Sequence, residues 1–245
     1  ILEDYTQPRR KEFLKPPKPF RAENAYPWRM QRSLSYLRRP LSQIGDQIFW
    51  GRRNLAFSPK FLALQIFEGR YTARSGELQS EIGKLSQIRG KQFENLVPTE
   101  LARQKHLRVE GQVKRINGLP LEGPKGTLGE IDCLCIDLRH REIWVLECKA
   151  YSRARAPHEM RQELDRLFAP GNHVDKHAKR VEWVNQHRRE TLEHFGLQAG
   201  KKSWRVRARI LTEEAVFAPH LQRSAIEVEG WQKFRQRMLK GLPDA

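Results

Sequence analysis

Asp132 and Glu147 are separated by fourteen residues, and Lys149 follows Glu147 by two. All three lie in "GEIDCLCIDLRHREIWVLECKAY", residues 129–151, inside or at the ends of otherwise apolar runs. Burying a charge is costly unless it is paired or binds a metal. Two carboxylates held close together repel, and a divalent cation is the economical counterweight. Carboxylate oxygens suit Mg²⁺, with Mn²⁺ as a substitute. A neighbouring lysine can orient or deprotonate a metal-bound water and offset charge on a phosphoryl oxygen. Together these are the parts needed to hydrolyse a phosphodiester. The same residues also fit a purely structural salt bridge, with Lys149 on Glu147 or Glu130 and Asp132 capping a strand end. Both readings stay open on these residues alone.

Whether the three meet depends on a hairpin. With Arg139 and His140 as a two-residue turn, Leu138 faces Arg141 and Asp132 lies opposite Glu147. Opposed residues of an antiparallel ladder share a face, with Cβ atoms about 5 Å apart. Lys149 falls on that face one pleat beyond Glu147, opposite Glu130. The face then carries Glu130, Asp132, Leu134 and Ile136 with Ile143, Val145, Glu147 and Lys149. The other carries Ile131, Cys133 and Cys135 with Trp144, Leu146 and Cys148. Both are mostly apolar, so the pair is expected at the centre of a sheet covered on both sides. Arg and His are not favoured two-residue turn formers, so a longer loop is open. A one-residue slip would send the acids to opposite faces.

The flanking sequence must build that sheet. Residues 1 to about 45 read as an extended, proline-rich basic arm, with one short helix near 29–38. Its aromatics, Phe13, Phe20, Tyr26, Trp28 and Tyr36, alternate with Lys and Arg. Such an arm can follow a phosphate backbone or wrap its own domain. "DQIFWGRRNLAFS" reads as a hairpin or turn and "SPKFLALQIFEG" as a short helix. A long helix is expected over 75–104, with Phe93, Leu96, Val97 and Leu101 on one face and a kink at Pro98. "HLRVEGQVKRING" reads as a strand. Beyond the hairpin come helices over 156–168 and 174–195, the strand "SWRVRARILTEEAV", and "AIEVEGWQKFRQRML" as strand and closing helix. That order points to a mixed central sheet flanked by helices.

Composition narrows the partner. The 245 residues carry 46 Lys plus Arg against 29 Asp plus Glu, a formal net charge of +17. This basicity suggests a polyanionic partner, DNA, RNA or an acidic membrane face, with nucleic acid favoured, and no apolar run is long enough to span a membrane. Cys133, Cys135 and Cys148, an odd number in one hairpin, suggest buried small hydrophobes in a reducing, intracellular setting. The first residue is Ile rather than Met, so a piece of a longer protein, or of a larger complex, is expected. No Walker-type glycine loop is present, and no ATPase activity is expected.

The spacing Asp132–x14–Glu147-Cys148-Lys149, with "GEID" and "VLECKAY", resembles the PD-(D/E)XK nuclease superfamily. "GKQFENLV" is similar to that family's first core helix, whose glutamate corresponds to Glu94. "RILTEEAVF" and "AIEVEGWQKF" look like its later strands and closing helix. The resemblance spans roughly residues 88–238, and Ile131 stands where many members have proline. It implies a restriction-endonuclease-like α/β domain over 88–245, preceded by a basic accessory region over 1–87. It implies Mg²⁺ held by Asp132 and Glu147 with help from Glu94, and Lys149 assisting the attacking water; DNA is favoured over RNA as substrate and endonuclease over exonuclease action, with both choices open on the sequence. Two further stretches are weaker. In "HEMRQELDRLF", Arg161 or Gln162 is placed to reach the site, although an ordinary amphipathic helix fits better. His173, Lys176, His177, Lys179 and Arg180 read as a solvated or phosphate-contacting charge run. The rival function is a nucleic-acid-binding or assembly module that does not cleave.

Overall fold

The computed structural model describes residues 37–124, 126–198 and 203–240. Residues 1–36, with most of the proline-rich arm, all five of its aromatics and most of the helix expected near 29–38, lie outside them. The described chain divides into two compact units. The first takes residues from 37 to Arg89 together with Arg155–Glu159. Strands β1 (Leu41–Ile44) and β2 (Gln47–Trp50) pair antiparallel, so regular structure is present from Leu41, inside the span to about 45 expected to be irregular. Gly45, at φ +59°, makes the tight turn between them.

Helix α1 (Arg52–Phe67) starts six residues before the expected Ser-Pro boundary. Pro59 sits inside it, where it removes one backbone hydrogen bond and crowds the carbonyl four residues earlier. Leu62, Tyr71 and Ile82 form this unit's small core, with Ile66, Ala73 and Leu78 against it. Ion pairs join Glu68 to Arg70 and Arg155, and Arg70 to Glu159. Helix α2 (Gly76–Ala102) follows.

The second unit, Gly90–Ala154 with the chain from Met160 onward, holds the sheet. Its first strand is β3 (Leu107–Val113). Two small ribbons follow: β4 (Arg115–Ile116) with β5 (Leu119–Pro120), and β6 (Glu122–Gly123) with β7 (Gly126–Thr127). Then come β8 (Ile131–Asp137) and β9 (Glu142–Lys149). Helices α3 (Pro157–Phe168), α4 (His173–Gln186) and α5 (Arg188–His194) lead to β10 (Arg205–Thr212). The short α6 (Ala218–Leu221), β11 (Glu227–Gly230) and α7 (Trp231–Lys240) close the unit. The expected helix over 174–195 is two helices that meet at His187.

The five-stranded sheet runs β11-β10-β9-β8-β3. The pairs β3–β8 and β8–β9 are antiparallel, whereas β9–β10 and β10–β11 are parallel, so the sheet is mixed. Every residue of β8, and all of β9 before Lys149, is buried. Helices cover both faces, giving the expected α/β architecture. On one face Phe93, Val97 and Leu101 of α2 and Trp231, Phe234 and Met238 of α7 pack on Cys133, Cys135, Trp144, Leu146 and Cys148. Trp144 meets Phe234 edge to face, centroids 5.4 Å apart. Burying each such large side chain contributes about 1.5–3 kcal/mol. Leu96, expected on the same helix face, is exposed; the buried stripe repeats every four residues and leaves it out. On the other face Trp183 and Val184 of α4 and Leu192 of α5 cover Leu134, Ile136, Ile143 and Val145. All three cysteines are buried free thiols, pushed up in pKa by that burial.

The hairpin keeps the expected register, from Asp137 opposite Glu142 to Cys133 opposite Leu146. The turn differs: four residues, 138–141, connect the strands, with Arg141 at φ +55°. Asp137 supplies what the sequence lacks in turn residues. Its Oδ1 accepts the Arg139 and His140 amides, and its Oδ2 contacts His140 Nδ1 at 2.8 Å.

Candidate active site

The site forms where β8 and β9 part. Their ladder stops at Cys133–Leu146, one pair short of Asp132 and Glu147, while β9 stays paired with β10 as far as Lys149–Thr212. In place of a ladder bond, the Cys148 amide donates to Asp132 Oδ2 at 2.8 Å. Strand β3 is also interrupted here. Gly111 pairs with Cys133 and Val113 with Ile131, but Gln112 takes φ +55° between them. The left-handed region is unusual for a side chain of this size and is often found at functional sites. Across this break Ile131 changes sides. It packs with Val113, Leu121 and Leu134, not with Cys133 and Cys135 as a regular alternation requires.

Lys149 spans the two acids. Its Nζ lies 2.7 Å from Glu147 Oε1 and 3.4 Å from Asp132 Oδ2. Both carboxylates are buried, and the lysine side chain is 19 % exposed. Burial disfavours the lysine's charge, but Glu147 and Asp132 more than offset it and raise its pKa, so it is an ammonium at neutral pH. Burial and then the Glu147 charge raise the Asp132 pKa. Glu94 feels the same centre: partial burial and then the Asp132 charge raise its pKa. Glu130 is not opposite Lys149; it precedes β8 and faces Lys114 Nζ at 3.6 Å.

Helix α2, which carries Glu94, lies close against β3. A Cβ on Gly111 would fall 3.0 Å from Pro98 Cγ, so the glycine admits the helix turn that follows Glu94. Gln112 Nε2 donates to Asn95 Oδ1 at 2.9 Å and ties the strained residue to the same turn.

The charge run on α4 divides by face. Lys176 and Lys179 are exposed, whereas His177 is fully buried and Arg180 is mostly buried. Arg180 Nη1 donates to Glu147 Oε2, and its Nε to the Leu128 carbonyl at 2.9 Å. His177 Nε2 sits 3.1 Å from the Val145 carbonyl, so this nitrogen carries the proton and donates. Its Nδ1 has no hydrogen-bond partner and faces Glu147 Oε2 at 3.8 Å. Burial and then the Arg180 charge lower its pKa to about 4. His173, one turn earlier and half-buried, is lowered by burial and then by Lys149. The signal for this face is the 173–177–180–184 spacing, which repeats at three and four residues and ends on the buried Val184.

Neither Arg161 nor Gln162 reaches the site. Both are exposed, and Arg161 pairs with Asp165 at 3.1 Å. The inward acid of α3 is Glu163, which accepts the Ala154, Phe217 and Ala218 amides and fixes the chain beyond β9.

His177 gives a pH test. Its folded pKa lies below the ordinary value, so its contribution to stability is complete above pH ~6.5 and is lost as pH falls through ~4. We expect denaturant unfolding to show the parent losing a few kcal/mol relative to His177→Gln across that window. Equal pH profiles would mean that His177 titrates freely.

The donor set fits a hard divalent cation. Mg²⁺ commonly takes one or two carboxylates and keeps several waters, which Asp132 and Glu147 can satisfy. Among the described residues, no three His, Cys, Asp or Glu groups are gathered closely enough to hold a metal by themselves. No helix among them is long and apolar enough to cross a membrane.

Fold and site together define an α/β/α protein with a buried acid–acid–lysine centre where its central strands diverge. A family model described as anti-phage protein Upx-like matches residues 1–200, and the chain belongs to this family. The matched span takes in Glu94, Asp132, Glu147, Lys149 and Arg180. No curated protein and no solved structure matches the chain.

Proposed function

We propose that the chain is a metal-dependent nuclease of the PD-(D/E)XK type, hydrolysing phosphodiester bonds in DNA before RNA, and endonucleolytic. The observation that carries this reading is one ammonium, Lys149, spanning two buried carboxylates, Asp132 and Glu147, at the parting of two central strands. Membership of an anti-phage family is compatible with a nuclease acting on invading nucleic acid. The net charge of +17 suits a polyanionic substrate.

Asp132 and Glu147 would hold Mg²⁺, or Mn²⁺ in its place, with Glu94 at the edge of the shell. When bound, such an ion acts as a Lewis acid and lowers the pKa of a bound water. Lys149 has a different task from that of a base. Its raised pKa keeps it charged, so it donates hydrogen bonds to the attacking water or to a non-bridging phosphoryl oxygen and offsets charge there. Glu94, raised in pKa by partial burial and then by the Asp132 charge, would be the candidate proton carrier.

A second reading has its own observation. Both Glu147 oxygens already contact cations, Lys149 and Arg180, as in a settled salt-bridge network. A binding module on the same fold would need no more. Cleavage of supercoiled and linear DNA with Mg²⁺, with Mn²⁺ and with EDTA separates the two. We expect nicking that needs the metal. Tight binding with no cleavage under any metal favours the binding module. In either case DNA affinity is expected to fall at least about tenfold between ~50 and ~200 mM salt, because each neutralised phosphate releases counterions. A flat salt response would remove nucleic acid as the partner.

A further inference from the structure

We infer that Arg180 is the positioning residue of this centre: one guanidinium locks the two carboxylate-bearing strand ends together and fixes which oxygen of Glu147 is presented. The inference rests on the nuclease reading and deepens it.

Arg180 joins two segments that the sheet leaves apart. Its Nη1 binds Glu147 Oε2 on β9, and its Nε binds the Leu128 carbonyl, four residues before Asp132. The ladder between β8 and β9 has already ended at Cys133–Leu146, so backbone pairing does not hold these ends to each other. Gly129 lies between the two contacts. Its φ is +78°, and a Cβ there would stand 3.2 Å from Arg180 Nη2. The glycine of "GEID" thus serves Arg180 twice: it turns the chain towards β8 and leaves room for the guanidinium.

The two cations on Glu147 are not equivalent. Lys149 has one flexible stem and divides its contacts between Glu147 Oε1 and Asp132 Oδ2. Arg180 is a planar fork held at both Nε and Nη1, and only 12 % exposed. It therefore stays on Oε2. Oε1, where Lys149 now sits, is the oxygen left for an incoming cation. His177 adds no competing bond at Oε2: its buried Nδ1 lies 3.8 Å away and has no hydrogen-bond partner. Residues that orient metal ligands from outside typically change metal affinity or activity by about 10–100-fold.

The test uses the full chain and Mn²⁺ as the probe, titrated without DNA and read by the paramagnetic resonance of free Mn²⁺. Parent, Asp132→Asn and Glu147→Gln establish the site. Arg180→Met, Arg180→Lys and Gly129→Ala test the lock, with circular dichroism showing that each variant is folded. We expect Arg180→Met to weaken Mn²⁺ binding by about 10–100-fold. Arg180→Lys should recover part of the loss, because lysine can reach Glu147 but cannot fork to Leu128. Gly129→Ala should fall between parent and Arg180→Met. Hydrogen exchange of residues 128–132 should rise in the same order. Arg180→Met within about twofold of the parent overturns the inference, as does faster exchange with unchanged affinity, which would make Arg180 a fold contact only. Failure of the nuclease reading shows elsewhere, in a parent whose Mn²⁺ affinity is unaffected by Asp132→Asn and Glu147→Gln; the positioning role falls with it.

Discussion

Lys149→Ala is expected to lower DNA cleavage by about 10²–10³-fold while leaving DNA affinity within a few-fold of the parent. The loss follows from what the ammonium does: it is the only side-chain cation in contact with both acids in the described structure. A donor aimed at charge that develops in the transition state affects rate more than binding. The rest of the +17 net charge remains for affinity. Stability should fall as well, by about 2 kcal/mol at neutral pH, because charged hydrogen bonds to two buried carboxylates disappear. Arg180 keeps its hold on Glu147 and limits the damage.

The pH dependence has a definite sign. The Lys149 pKa is raised in the fold, so its contribution is fully present below the ordinary lysine value and is lost only as pH rises through the folded value. Asp132 is raised too, and its protonated form suits the fold better than its ion. Hence the deficit of Lys149→Ala should be largest near neutrality and shrink in acid, where Asp132 takes up a proton. Cleavage assays and urea unfolding at several pH values measure both effects. A variant that cuts as fast as the parent would end the catalytic assignment.

The centre was legible because strand alternation is a strong constraint. Once the two apolar runs are read as adjacent strands, a register that holds near the turn fixes Asp132 against Glu147. The observed pairs confirm that register from Asp137–Glu142 to Cys133–Leu146. The turn was not legible, because Arg139 and His140 carry no turn preference of their own; Asp137 builds it with its side chain. The end of the ladder was not legible either. Alternation continues on paper through Ile131 and Glu130, whereas the chain breaks step at Gln112 and Asp132. A glycine inside a strand, Gly111, was the available hint, since such a glycine often marks a close approach of another element. The inward face of α4 was hidden by composition. Arg, Lys and His in one run look like a solvated face until their spacing is matched to Val184. What a cation on that face touches depends on long-range packing, here a carbonyl 52 residues away at Leu128.

Asp132→Asn is expected to make the protein more stable and inactive together. The raised Asp132 pKa means that its ion is disfavoured by burial and by the Glu147 charge. Asparagine is a neutral mimic of nearly the same shape. Its carbonyl can still accept the Cys148 amide, and its NH₂ can donate towards Glu147. Relief of one buried like-charge contact should add about 1 kcal/mol at neutral pH, within the range common for single stabilising changes. The sign can be checked by titration. The parent loses stability as pH rises through the folded Asp132 pKa, and asparagine does not titrate, so the advantage should vanish in acid. Saturating Mg²⁺ should reverse the ranking. A ligand at a hundredfold excess over its Kd stabilises the fold that binds it by about 2.7 kcal/mol. That gain belongs to the parent, because Asp132→Asn has lost a ligand and a charge. Cleavage should drop by at least about 10²-fold. Urea unfolding with and without Mg²⁺ therefore distinguishes a catalytic acid from a structural one. A structural Asp132 would make the variant less stable in every condition and leave both proteins indifferent to the metal. The opposite pattern, destabilised by its own carboxylates until a cation arrives, is what a site pays in stability to be ready for its ion.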